Sequence, residues 1–121
     1  MKLLGVVTFI ILSISSAYAD GKLSENIRIT SDVLDYDLQY RVYTPDGMSE
    51  DDNLPTIYVT DGPGYITQGK MVKVMDELIT TGKMRPIIAV FIDSRNPDDL
   101  RENRRNYQLL CNVDYARFFI S

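Results

Sequence analysis

The chain of 121 residues contains no histidine and a single cysteine. Without an imidazole, a serine hydroxyl or a thiol has no base to take its proton near neutral pH, so these residues alone cannot run triad-type nucleophilic catalysis. One thiol cannot pair within its own chain, which excludes an internal disulfide framework. Cys111 therefore reads as a small buried apolar residue, or as one whose partner lies beyond Ser121. No group of His, Cys and carboxylates has the spacing of metal ligands. Positive charge is also short: 13 Lys and Arg against 17 Asp and Glu leave a net charge of −4 and a pI near 4.7. The basic residues are scattered among acidic ones, so nothing offers phosphates a footprint and nucleic acid is excluded as a partner. Internal repeats and low-complexity segments are absent, and beyond the first nineteen residues no apolar run reaches the length of a membrane span.

What is present is an ordinary globular composition, 45% hydrophobic and 25% charged, enough for one domain at most. The first nineteen residues stand apart. Lys2 gives a positive start, Leu3 to Ile14 form a short apolar core, and Ala17-Tyr18-Ala19 is a small-x-small cleavage signal. The pattern predicts a signal peptide over 1–19, cut between Ala19 and Asp20, and a secreted or periplasmic mature part from 20 to 121. The apolar run falls short of the ~20 residues that a spanning helix needs.

In the mature part, residues 25–34 and 38–45 are rich in β-branched and aromatic residues, with apolar positions at Ile27 and Ile29, then Leu38, Tyr40 and Val42. Period two predicts two strands, and Asp35-Tyr36-Asp37 reads as the tight connection of an antiparallel hairpin. The acidic stretch from Asp46 to Asn53 is a surface loop. Thr56 to Thr60 is a further strand, and it runs straight into a glycine-rich turn, Asp61-Gly62-Pro63-Gly64-Tyr65. From Gln68 to Thr81, Met71, Met75, Leu78 and Ile79 recur at helical spacing, and Gly82 stands where a left-handed residue ends a helix. Met71, Met75 and Met84 read as core filling.

Pro86 to Ile92 is apolar at every position, which suits a parallel strand covered on both faces. Strand, helix and strand from 56 to 93 form the crossover unit of an α/β sheet. If the sheet ended on that last strand, its apolar edge would be an aggregation hazard. Asn96-Pro97-Asp98-Asp99 has the order of a helix start, and residues 113–120, capped by Asn112, begin another helix.

This ordered set resembles the putative esterase family of α/β-hydrolases, the group of esterase D and enterochelin esterase. The likeness is carried by Tyr40 to Pro45, by Leu54 to Gly62, by Ile88 to Ser94, by Arg104-Arg105-Asn106-Tyr107 and by Tyr115 to Ile120. It implies the amino-terminal portion of a three-layer α/β-hydrolase sandwich, truncated before the nucleophile elbow. It also implies hydrolysis of a small-molecule carboxylic ester, without any cofactor, by a Ser-His-Asp/Glu triad. No Gly-x-Ser-x-Gly elbow is present, so no catalytic residue is expected within this segment and the segment alone should be inactive.

The resemblance further implies that the loop after the Asp-Gly strand helps to form the oxyanion hole. Pro63 lacks an N–H, which leaves Gly62, Gly64 and Tyr65 as the candidate residues of that loop. The alternative is that Asp-Gly-Pro-Gly is only a tight turn. Arg95 and Arg104, with Arg105 beside them, follow an apolar strand and are candidates to bind an anionic substrate group. The competing reading pairs these arginines with Asp98, Asp99 and Glu102 at the surface. Two other classes stay open at this point: a small exported α/β ligand-binding module without catalysis, and a non-functional truncated product.

Overall fold

A computed structural model describes residues 20–49 and 51–120, so the leader expected at 1–19 lies outside the described residues. Among the described residues five strands form one sheet: β1 (Lys22–Leu23), β2 (Ile27–Ser31), β3 (Tyr36–Thr44), β4 (Thr56–Val59) and β5 (Ile88–Asp93). Four helices accompany them: α1 (Gly62–Thr67), α2 (Met71–Thr80), α3 (Arg105–Leu109) and α4 (Val113–Phe118). The sheet order is β1-β3-β5-β4, and β2 pairs with β3 beyond β1. β3 is antiparallel to β1, β2 and β5, whereas β4 and β5 are parallel. The α/β class with an antiparallel hairpin and a parallel β-α-β unit is therefore the observed fold.

The hairpin turns earlier than the sequence suggests. Tyr36 and Asp37 are already in β3, opposite Ser31 and Thr30. The turn occupies residues 32–35, where Asp35 takes a left-handed φ of 56° and returns its N–H to the Ser31 carbonyl at 2.9 Å. Aspartate tolerates that conformation better than most residues, and the turn starts three residues upstream of the expected one.

β5 takes the interior place that its unbroken apolar run suits. It lies inside the sheet, with β3 on one side and β4 on the other; among the described residues β4 forms one edge of the sheet and the short β1 and β2 the other. The nine-residue β3 is long enough to hold β1 and β2 along one side and β5 along the other, so the unbroken apolar run is shielded at both edges. On the parallel side of the sheet the exposed edge is the four residues of β4.

One face of the sheet packs Tyr43, Ala89 and Phe91 against Met75, with Leu23, Ile57, Val59, Ile66, Met71, Val72, Ile79 and Met84 around them. α1 and α2 supply that cover, and the methionines fill it as expected. α2 ends at Thr80 with Gly82 at φ 68°, and the Lys83 N–H bonds the Leu78 carbonyl at 2.9 Å, the left-handed stop that the sequence predicts. The opposite face packs Leu38 and Ile92 against Tyr115 of α4, with Tyr40, Val90, Phe118 and Phe119 beside them. α4 starts where Asn112 predicts: its side-chain carbonyl accepts the Tyr115 N–H at 3.0 Å.

The helix expected at Asn96 does not form. The Asn96 side chain accepts the Asp98 N–H and the Asp99 carboxylate accepts the Arg101 N–H, two local bonds that compete with a helical turn. The stretch instead loops back to a bridge between Arg95 and Asn103, and α3 starts only at Arg105. Cys111, expected to be buried, is exposed and holds a left-handed φ of 53° between α3 and α4.

Candidate functional site

Because β4 and β5 run parallel as neighbours, their carboxyl ends open on the same edge of the sheet. That edge is where open α/β sheets bind ligands. It brings together the Asp61-Gly62 junction after β4, the Asp93-Ser94-Arg95 segment after β5, and the helices α3 and α4.

The glycine-rich segment after β4 is a helix, not a loop. α1 begins at Gly62, with Pro63 in its first turn, where a missing N–H costs nothing. Gly62 is buried against β5: a Cβ there would stand 2.7 Å from the Phe91 carbonyl carbon and Cβ. Only glycine permits that approach, which lets the chain leave β4 and cross directly over the neighbouring strand. Gly64 faces open space: a Cβ added there would meet nothing nearer than Gln68 Oε1 at 3.6 Å, and the Gly64 N–H bonds the Asp61 carbonyl at 3.1 Å. Tyr65 is 52% exposed. The three candidates thus share one helical turn at the sheet's carboxyl edge, and Asp61, which precedes them, holds a left-handed φ of 61°.

Arg105 at the start of α3 reaches Asp61, with Nε at 2.8 Å from Oδ2. This ion pair, which sequence reasoning misses, ties the segment after β5 to the junction after β4. Its signal was faint: Asp-Gly after a strand and an Arg pair before an aromatic are each common, and nothing in the spacing says that they meet.

The other two arginines face inward to partners. Arg95 forks onto Asp93, with Nη2 at 2.6 Å from Oδ2 and Nε at 2.8 Å from Oδ1. Arg104 donates to Glu102 at 2.7 Å and stacks its guanidinium 4.5 Å from the Tyr36 ring centre. Of the expected surface partners, only Glu102 is met by one of the three; Asp98 pairs with Arg28 and Asp99 with Arg101. Asp93 is a buried carboxylate that also accepts from Gln39 Nε2 at 2.8 Å. Burial pushes its pKa up, but the Arg95 fork, the Arg95 N–H and the Gln39 amide outweigh it and hold the carboxyl below the usual range.

Beneath α3 and α4 the edge becomes polar and tight. Ser94, Gln108 and Tyr115 are each at most 4% exposed, and Ser94 Oγ, Gln108 Oε1 and the Tyr115 hydroxyl have no hydrogen-bond partner among the described residues. The Gln108 amide donates to Tyr36 at 3.3 Å. Burial, with Tyr36 and Asp61 adding to it, pushes the Tyr115 phenol up to about 12. A cleft of about 570 Å³ opens here between Thr60, Gln108, Asn112, Tyr115 and Phe119. A larger groove of about 740 Å³ runs along the half-covered face of the sheet, past Ile29, Val42, Tyr58, Val90 and Phe119. Among the described residues, no group of His, Cys, Asp and Glu is placed to hold a metal ion, and no helix is long and apolar enough to cross a membrane.

Comparison with known proteins identifies the family and the fold. The sequence profile of the family described as Putative esterase matches residues 31–118. No curated protein sequence matches the chain. Among solved structures, the enterobactin esterase of Shigella flexneri is 20% identical with a TM-score of 0.62, covering 84% of this chain and 24% of its own. The ferric enterobactin esterase of Salmonella typhimurium is 15% identical with a TM-score of 0.65, covering 86% of this chain and 24% of its own. A ferulic acid esterase is 18% identical with a TM-score of 0.55, covering 81% of this chain and 44% of its own. The chain thus spans about a quarter of the length of the enterobactin esterases that it matches.

Proposed function

Because this chain belongs to the putative esterase family, we propose that it is the amino-terminal portion of an exported serine esterase acting on a small-molecule carboxylic ester. The observation that carries the reading is the match of the family profile across residues 31–118, on a sheet whose β4 and β5 open toward one edge. Export rests on the leader pattern of residues 1–19 and on the cleavage signal ending at Ala19.

In this reading the nucleophile, its acid and its histidine belong to sequence beyond residue 121, and this segment contributes the strand-to-helix junction after β4. Attack on an ester carbonyl puts negative charge on the carbonyl oxygen, and fixed N–H donors in a dry site stabilise it; one such donor is typically worth roughly 3 kcal/mol of barrier. The segment Gly62–Tyr65 supplies that wall of the site. Gly64 already donates to Asp61, so the Tyr65 N–H is the stronger donor candidate. Arg95 and Arg104 shape the same edge through Asp93 and Tyr36, and Arg95, the more exposed of the two side chains, is the better placed to meet an anionic substrate group. In this reading the outer edge of β4 pairs with a further strand.

Expression of the full-length protein of which this segment is proposed to be the amino-terminal portion tests this directly. The full product should hydrolyse p-nitrophenyl acetate or butyrate, and residues 20–121 alone should not. A full product without turnover, or turnover by the isolated segment, would overturn the proposal.

A further inference from the structure

We infer that Arg105 is a positioning residue for the Asp61–Gly62 junction, acting through the Asp61 carboxylate; its bearing on catalysis rests on the assignment of Gly62–Tyr65 to the ester site. Asp61 is a non-glycine residue at φ 61°, a conformation in which the Cβ of an L residue is crowded and which survives only where its surroundings impose it. Two constraints impose it here. Downstream, Gly62 lies against the Phe91 backbone and leaves no room for the junction to relax inward. Laterally, Arg105 Nε holds the Asp61 carboxylate at 2.8 Å.

Arg105 can act as a clamp because α3 is itself fixed. Arg104, its neighbour, lies over Tyr36 and donates to the Asp37 carbonyl at 3.3 Å, and Gln108, one turn on, donates to Tyr36. The guanidinium is thus presented from a support anchored on β3, and it joins the segments that follow β4 and β5. Those two segments emerge side by side at the sheet edge, so the pair fixes their separation across the mouth of the site. Asp61 is one-third exposed and Arg105 more than half, so the clamp is weak, sensitive to salt, and removable without unfolding the domain.

The test compares Arg105→Ala, Arg105→Lys, Asp61→Gly and the double variant Arg105→Ala with Asp61→Gly. In the full-length protein, amide exchange at Gly64 and Tyr65 should quicken roughly two- to five-fold in R105A, recover in part in R105K, and rise with salt in the wild type. In the Asp61→Gly background, where a left-handed residue needs no clamp, removal of Arg105 should change nothing further. In the full-length protein, R105A should lower kcat for a p-nitrophenyl ester while KM stays put, with R105K intermediate. Unchanged exchange in R105A, an equal effect in the Asp61→Gly background, or a quickened junction with an unaltered kcat would each overturn the inference. Absence of hydrolysis by the wild-type full-length protein would sink the esterase reading instead, and the exchange data would still decide the clamp.

Discussion

The two faces of the sheet are built from the same strands and yet differ in how they are covered. On one, Tyr43, Ala89 and Phe91 disappear under α1 and α2, which are supplied by the crossover between β4 and β5. On the other, α4 covers Leu38 and Ile92 at one end, while Tyr58 stays 63% exposed and a groove of about 740 Å³ runs beside it. The first face is closed by residues adjacent in sequence, and the second depends on a helix that arrives late. Stability should therefore be concentrated on the first, and the open strand β4 should be the place where chains associate.

The sharpest break of this comparison is a pair of truncations, one on each face. Phe91→Ala, at 1% exposure in the closed face, should lose about 3–5 kcal/mol. Tyr58→Ala on the open face should lose no more than about 1.5 kcal/mol, the edge contact with the Phe119 ring included. Urea midpoints on residues 20–121 measure both, and equal losses would show that the two faces are covered alike.

The next effect lies at the carboxyl edge that both faces share. Asp93→Asn removes the charge from the Arg95 fork and should lose roughly 1–3 kcal/mol at neutral pH. The folded pKa of Asp93 is held below the usual range, so its contribution is full above the unfolded carboxylate value of about 4 and fades as pH falls through the folded value. Stability curves from pH 7 to 2 should thus fall less steeply for D93N than for the wild type. Parallel curves would remove Asp93 from the account.

The smallest effect sharpens the view of the half-covered face. The Tyr115 hydroxyl has no partner, so Tyr115→Phe should be neutral or slightly stabilising at pH 7. Its folded pKa, raised to about 12 against the ordinary phenol value, favours the neutral form, so it stabilises below pH about 10 and that gain is lost as pH rises toward 12. Melting points at pH 9 and 11 should differ less in Y115F than in the wild type. An unchanged difference would mean that the hydroxyl reaches solvent.

Local chemistry made much of this legible in the sequence. Period two marked β3, the apolar run marked β5, helical spacing and Gly82 marked α2, and Asn112 marked the start of α4. What escaped was set by tertiary geometry. The apolar run Ile88 to Ile92 marks a covered strand, but that β3 is its antiparallel neighbour follows only from how the hairpin lies in the sheet. Gly62-Pro63-Gly64 reads as a turn, because neither glycine nor an unplaced proline favours a helix, yet Gly62 is there to approach Phe91 and Pro63 sits where helices tolerate it. At the site, the types of residue were visible and their partners were not. Asp61 and Arg105 are far apart in the chain, and Arg28, which takes Asp98, carried no local signal at all.

The central claim is that this segment holds a wall of an ester-hydrolysing site whose attacking serine lies elsewhere in the protein. Labelling the full-length product with a fluorophosphonate probe, followed by peptide mapping, tests it most directly. The account predicts one labelled serine outside residues 20–121 and no labelling of the isolated segment. A labelled serine within residues 20–121, or no labelling of the full-length product, would contradict it.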